Sequence, residues 1–268
     1  MKIIRNKNKL VKELDNCSNL GFVPTMGALH KGHISLIKKS TKQNKKTLVS
    51  IYVNKPQFNN KKDFNLYPRT LKSDIQTLKR NNVDILYLPK NKDLYPRGPN
   101  KLIKINLFEK RLCGKFRPGH FKAVVDVIRR FVEFIKPNKI YMGSKDFQQL
   151  KLVEDFFIKN KVSTKVVECK TVRNKNGLAL SSRNFLLTLE QKRKAEEIYK
   201  ILHNKKGDLL KNKMILNSIK RRILKLNDVK IDYIEVVNIS KFFKTNKKNN
   251  LKIFIAYYLG ETRLIDNI

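Results

Sequence analysis

The 268-residue chain has little with which to build a disulfide or zinc site. Its three cysteines, Cys17, Cys113 and Cys169, are widely spaced and form no CxxC pair, which argues against a disulfide framework and a zinc ribbon alike. No apolar run reaches the roughly 18 residues needed to span a bilayer. The start, Met1-Lys2-Ile3-Ile4-Arg5-Asn6, lacks the apolar core and small-residue cleavage site of a secretory signal. A cytoplasmic protein without a membrane partner is expected. Gly/Ser-rich and Pro-rich linkers are missing, as are internal repeats. Acidic residues are scarce, 22 against 60 Lys plus Arg, giving a formal charge of +38. Such an excess would suit a nucleic-acid or anionic-membrane partner. The lysines, however, run through nearly every segment beside abundant Asn and Ile, where a binding face would gather them. All three residue types come from AT-rich codons, so a biased genome accounts for the composition and no nucleic-acid partner is expected. The field should still attract small anions.

What is present is a folded pattern: hydrophobic residues make up 41% and recur in periodic segments. A short helix from Lys7 to Asn16 precedes a buried strand, Leu20 to Pro24. A helix from His33 to about Asn44, an apolar strand from Thr47 to Val53, a helix near Leu71 to Asn81 and a strand from Val83 to Leu88 follow. Nearly continuous apolar strands alternating with helices predict a parallel sheet covered on both faces. The alternation continues through a helix from Phe121 to Lys136, a strand at Lys139 to Met142, a helix from Asp146 to Asn160 and a strand at Ser163 to Val172. Beyond it, Thr188-Leu189-Glu190-Gln191 reads as a capping box, Leu209 to Leu226 as a helix, and Ile231 to Val237 and Leu251 to Tyr258 as strands. The fold class is therefore α/β over residues 1–172, with a smaller α+β unit over 173–268.

The stretch Met26-Gly27-Ala28-Leu29-His30-Lys31-Gly32-His33 follows the first parallel strand, at the carboxyl end where open α/β sheets bind ligands. With a helix starting near His30, the two imidazoles share a face, and Gly32 lets a phosphate or adenine approach the backbone. Backbone N–H groups and the helix dipole add to an anion site. Two fixed imidazoles suit the charge that builds on an α-phosphate under attack by a carboxylate. The helix end favours neutral rings and a triphosphate favours charged ones. Read blandly, two histidines at helical spacing are incidental surface residues, and metal ligation lacks supporting carboxylates or thiols.

This loop resembles the nucleotide loop of the pantothenate synthetase family, relatives of the class I aminoacyl-tRNA synthetases, and the likeness runs nearly end to end. It implies a Rossmann-like N-terminal domain and a C-terminal lid. It further implies ATP-dependent joining of pantoate to β-alanine through a pantoyl-adenylate, with magnesium and a homodimer formed through the N-terminal domain. Val53-Asn54-Lys55-Pro56-Gln57-Phe58 resembles the family loop that carries Gln57 to pantoate and β-alanine, with Asn54 beside it. Tyr67-Pro68-Arg69-Thr70 resembles the YPRT stretch, with Asp74 a turn later as a magnesium candidate. Arg117-Pro118-Gly119-His120-Phe121 resembles RPGHF, where Arg117 and His120 are either structural or phosphate-facing. Gly143-Ser144-Lys145-Asp146-Phe147-Gln148-Gln149-Leu150 resembles GEKDxQQL, which gives Lys145 to phosphate, Asp146 to the nucleotide and Gln149 to pantoate. Leu180-Ser181-Ser182-Arg183 resembles the mobile serine loop that closes on triphosphate, with Arg183 on the departing pyrophosphate. Val172 is placed against adenine by its backbone, and Leu259-Gly260-Glu261-Thr262-Arg263-Leu264-Ile265-Asp266-Asn267 resembles the family tail.

Three departures each remove a carboxylate: Cys113 stands in the family's Glu-Gly pair, Ser144 replaces Glu in GEKD, and Asn176 replaces Asp before Gly177. The predicted catalytic set, His30, His33, Lys145 and Arg183, is intact. A nucleotidyltransferase acting on a phosphorylated acceptor is the enzymatic rival, and the glutamines count against it because a phosphate would call for Arg or Lys there. A basic RNA-binding protein is the non-enzymatic rival, and no aromatic-and-basic recognition motif is present.

Overall fold

The computed structural model describes residues 1–100, 102–244 and 250–268. In chain order its elements are β1 (Lys2–Ile4), α1 (Lys7–Leu14), β2 (Leu20–Thr25), α2 (Lys31–Gln43), β3 (Lys46–Ile51), α3 (Lys61–Leu66), α4 (Leu71–Arg80), β4 (Ile85–Tyr87), α5 (Asn91–Leu94), α6 (Cys113–Phe116), α7 (His120–Ile135), β5 (Lys139–Gly143), α8 (Phe147–Lys159) and β6 (Lys165–Cys169). There follow α9 (Leu189–Asn204), α10 (Lys206–Lys211), α11 (Leu216–Leu224), β7 (Val229–Asn238), β8 (Leu251–Leu259) and β9 (Thr262–Asn267).

Strands β1 to β6 form one parallel sheet in the order β1-β4-β3-β2-β5-β6. Successive side chains of a strand point to opposite faces, and the strands alternate accordingly. Phe22, Leu48, Ile85 and Ile140 pack with α1, α7 and α8 on one face. Val23, Val49, Leu86 and Tyr141 pack with Ile37 of α2 and Leu78 of α4 on the other. The chain reverses its direction of travel across the sheet at β2, which lies between β3 and β5. The carboxyl ends of β2 and β5 therefore border the crevice in which such sheets hold ligands.

The second sheet is antiparallel, in the order β7-β8-β9, and its middle strand serves two cores. Phe254 and Ala256 join the core of α7 and α8. Ile253, Ile255, Tyr257 and Leu259 face α9 and α11. The Thr188 capping box is present: Thr188 Oγ1 accepts the Gln191 N–H and Gln191 Oε1 accepts the Thr188 N–H, both at 3.1 Å.

The single helix expected over Leu209 to Leu226 is instead two, α10 and α11. Asn212 is extended, and its side chain accepts the Met214 N–H at 2.9 Å, a local bond that competes with helix continuation. The sequence pattern also missed β1, an edge strand of three residues, and β9, an edge strand whose burial does not follow a two-residue period.

Candidate active site

The histidine loop is shaped by two glycines. Gly27 has φ +80°, and a Cβ there would crowd Asp74 and Ile51. Gly32 makes room for a side chain: a Cβ on it would sit 2.7 Å from the His30 ring, so its smallness admits the imidazole and not only a ligand. His30 is extended and caps α2, which starts at Lys31. Its Nδ1 accepts the Gly32 N–H at 3.1 Å, and Nδ1 of His33 faces the His30 N–H at 3.4 Å. The rings lie 4.1 Å apart and both line a cavity of about 280 Å³. Burial first, then the Lys145 charge, lowers the pKa of His30 to about 4, against the opposing pull of Asp146. Burial and the neighbouring His30 lower that of His33 to about 3. Both rings are thus neutral, and with each Nδ1 accepting from backbone, the proton of each sits on Nε2. Two neutral N–H donors are fixed at the cavity.

Asp74, the magnesium candidate, turns its carboxylate to the histidine loop. It is 1% exposed, and its carboxylate accepts the Ala28 N–H at 3.0 Å and the Leu29 N–H at 2.8 Å, so it holds the loop from behind. Among the described residues no group of three or more His, Cys, Asp or Glu could hold a metal. Two carboxylates at the cavity, Asp63 and Asp146, pair with Arg183 and Lys145, and a third, Asp266, pairs with Arg173. The residues therefore do not fit a protein-held magnesium ion.

Lys145 and Asp146 follow β5, with Nζ 3.0 Å from Oδ1. Burial works to raise the Asp146 pKa, but the Lys145 charge and hydrogen bond outweigh it and hold the carboxyl below its usual range. Asn267 of β9 donates to the carbonyls of Ser144 and Lys145, both at 2.8 Å, so the small sheet fixes the lysine loop. Ser182 Oγ donates to the Ala28 carbonyl at 3.0 Å and binds the serine loop to the histidine loop. Ser181 caps the turn that carries Arg183, and Arg183 grips Asp63 with three bonds of 2.9 to 3.3 Å.

Gln57 and Gln149 line the same cavity. Buried Asn54 accepts from the Tyr95 hydroxyl at 2.8 Å and donates to Gln57 Oε1 at 3.1 Å, which turns the Gln57 NH2 toward Met26 Sδ at 3.0 Å. His120 Nδ1–H and Arg117 donate to the Gln57 carbonyl at 2.8 and 3.1 Å. Both ring nitrogens of His120 are engaged, Nδ1 by the Gln57 carbonyl and Nε2 by Arg117. Gln148, next to Gln149, is buried and bonded to Cys113, Phe108 and Arg111.

Of the expected nucleotide contacts, Met26, His30, Gly32, His33, Gly143, Lys145, Asp146, Val172, Leu180, Ser181, Ser182 and Arg183 line the cavity. Gly27, Ala28, Leu29, Lys31 and Ser144 do not. Ala28 and Leu29 turn their N–H groups to Asp74, Lys31 is exposed, and Ser144 Oγ donates to the Cys169 carbonyl at 2.7 Å. The Val172 carbonyl accepts the Leu180 N–H at 2.9 Å. Asp63 and Asn267 carry no motif and were missed, although Asn267 lies in the quoted tail. The other two departures also have local partners: Asn174 and Asn176 together donate to Glu196 at 2.6 and 2.7 Å, where an aspartate at 176 would repel it, and Cys113 Sγ lies 3.0 Å from the Tyr233 hydroxyl.

Comparison with known proteins covers the whole chain. The family model described as pantoate-beta-alanine ligase matches residues 2–268. A pantothenate synthetase from Endomicrobium trichonymphae is 40% identical, over 100% of this chain and 97% of its own. One from Francisella tularensis subsp. novicida is 42% identical, over 97% and 92%. Among solved structures, pantoate-beta-alanine ligase from Francisella tularensis, complexed with beta-gamma ATP and β-alanine, superposes with TM-score 0.88 at 40% identity, over 100% of this chain and 97% of that one. The Thermus thermophilus enzyme does so with TM-score 0.91 at 31% identity, over 100% and 99%. With the match running from residue 2 to the last residue and identity at or above 40% in two relatives, the chain belongs to the pantoate-beta-alanine ligase family.

Proposed function

We propose that the cavity binds ATP, pantoate and β-alanine and makes pantothenate in two steps. A pantoate carboxylate oxygen attacks the α-phosphorus of ATP, the bond to the bridging oxygen breaks, and pyrophosphate leaves. The neutral amine of β-alanine then attacks the carbonyl carbon of the pantoyl-adenylate, the bond to AMP breaks, and the amine gives up a proton as the amide forms. The observation that carries this reading is the pair of neutral imidazoles with Nε2–H at the cavity, beside Lys145. Neutral donors stabilise the charge that develops on the α-phosphate without first binding the triphosphate as a salt. Arg183 exchanges Asp63 for phosphate oxygens as the serine loop closes, and the 173–268 unit acts as the lid. Val172 N–H meets adenine. Gln57 and Gln149 bracket the pantoate hydroxyls, an amide being able to donate and accept. Magnesium enters with the triphosphate, and no step depends on a protein ligand to it. The enzyme works as a homodimer in the cytoplasm.

The test is pyrophosphate release from ATP and magnesium with pantoate, with and without β-alanine. Sustained release that needs both acids, and that falls on the order of 100-fold in His33→Ala, is expected. Pantoate-independent release, or none above that of the variant, would overturn the reading.

A further inference from the structure

Three guanidinium groups, Arg117, Arg183 and Arg263, line the cavity, and their counter-charges are unequal. Arg183 has Asp63 at 2.9 Å and Arg263 has Asp232 at 2.8 Å. Arg117 has no carboxylate within 4 Å among the described residues. Its two hydrogen bonds go to neutral groups, His120 Nε2 at 3.1 Å and the Gln57 carbonyl at 3.1 Å. A guanidinium carries five N–H donors, so three remain. Burial, reinforced by the charges of Arg183 and Arg263, lowers its pKa to about 10, which leaves it charged at neutral pH. A partly buried cation without a carboxylate in contact is costly, and an anion in contact with it offsets that cost.

The substrates differ in where they keep negative charge. The phosphates of ATP meet His30, His33 and Lys145. The pantoate carboxylate is the nucleophile and becomes an uncharged mixed anhydride. The β-alanine carboxylate takes no part in either step and stays charged through to the product. We propose that Arg117 binds the carboxylate of β-alanine, holding the substrate beside Gln57 with its amine toward the adenylate. This rests on the ligase reading above. A fork of fixed donors suits a planar carboxylate, and the Gln57 carbonyl fixes that fork next to the pantoate site.

The test separates the half-reactions in the wild type, Arg117→Lys and Arg117→Met. Pantoate-dependent exchange of labelled pyrophosphate into ATP reports adenylation without β-alanine, and full turnover reports amide formation. Turnover is measured with β-alanine and with propylamine, which has the amine but no carboxylate. Arg117→Met is expected to raise the KM for β-alanine on the order of 10- to 100-fold, with much smaller change in exchange or in use of propylamine, while Arg117→Lys recovers part of the loss. Equal losses in exchange and turnover would make Arg117 only a support for Gln57 and overturn the proposal. So would an unchanged KM for β-alanine in Arg117→Met. Absence of exchange in the wild type would instead refute the ligase reading.

Discussion

At the scale of single residues, the two cavity histidines link the candidate site to acid stability. Their folded pKa values, about 4 for His30 and about 3 for His33, lie below the ordinary 6.5, so the unfolded chain takes up protons that the folded one refuses. Stability is therefore complete above about pH 6.5 and falls as pH drops toward the folded values. Thermal melts between pH 8 and pH 4 should show this decline, and His33→Asn should flatten it; an acid limb unchanged by that substitution would mean His33 protonates freely in the fold. The histidine pair was legible because its logic is local: three residues of spacing at the end of an apolar strand. Its neutrality was not legible. That depends on burial and on the charges of Lys145 and Asp146, over a hundred positions away.

At the scale of elements, the loop between β2 and α2 keeps its shape through α4. Asp74→Asn leaves one acceptor oxygen for two N–H groups, and an unsatisfied buried donor costs about 1–3 kcal/mol. The variant should melt earlier and bind ATP more weakly, while the magnesium concentration giving half-maximal rate stays where it is. A marked shift in that concentration would restore Asp74 to the metal. The sequence showed Asp74 a turn inside a helix, and the family likeness suggested an ion; the contact it makes to the histidine loop joins residues 46 positions apart. Arg183 to Asp63, at 120 positions, and Asn267 to Ser144, at 123, were hidden for the same reason. Strands and helices with a full period were legible, whereas the break at Asn212 hung on one side-chain bond.

At the scale of the whole molecule, the +38 charge sets how anions arrive. Opposite charges attract at long range and salt screens them within about 10 Å at 0.1 M. Raising salt from 50 to 300 mM at fixed magnesium should lower kcat/KM for ATP several-fold and change kcat little; a salt-independent kcat/KM would mean the excess lysines do not steer substrate. The two-sheet architecture was readable from strand chemistry, but the sharing of one strand between two cores was not, because each half of its alternation looks like any half-buried strand.

That shared strand, β8, imposes an arithmetic on how the chain can change. Between Leu251 and Leu259, even-numbered Phe254 and Ala256 serve one core and odd-numbered Ile253, Ile255, Tyr257 and Leu259 the other. Losing or gaining a single residue there would exchange the two sets and misfit both cores together. Length changes within β8 can therefore be inherited only in pairs, and even a pair would displace Asn267 of β9 from the lysine loop, so this stretch should be the part of the gene most intolerant of in-frame single-codon insertion.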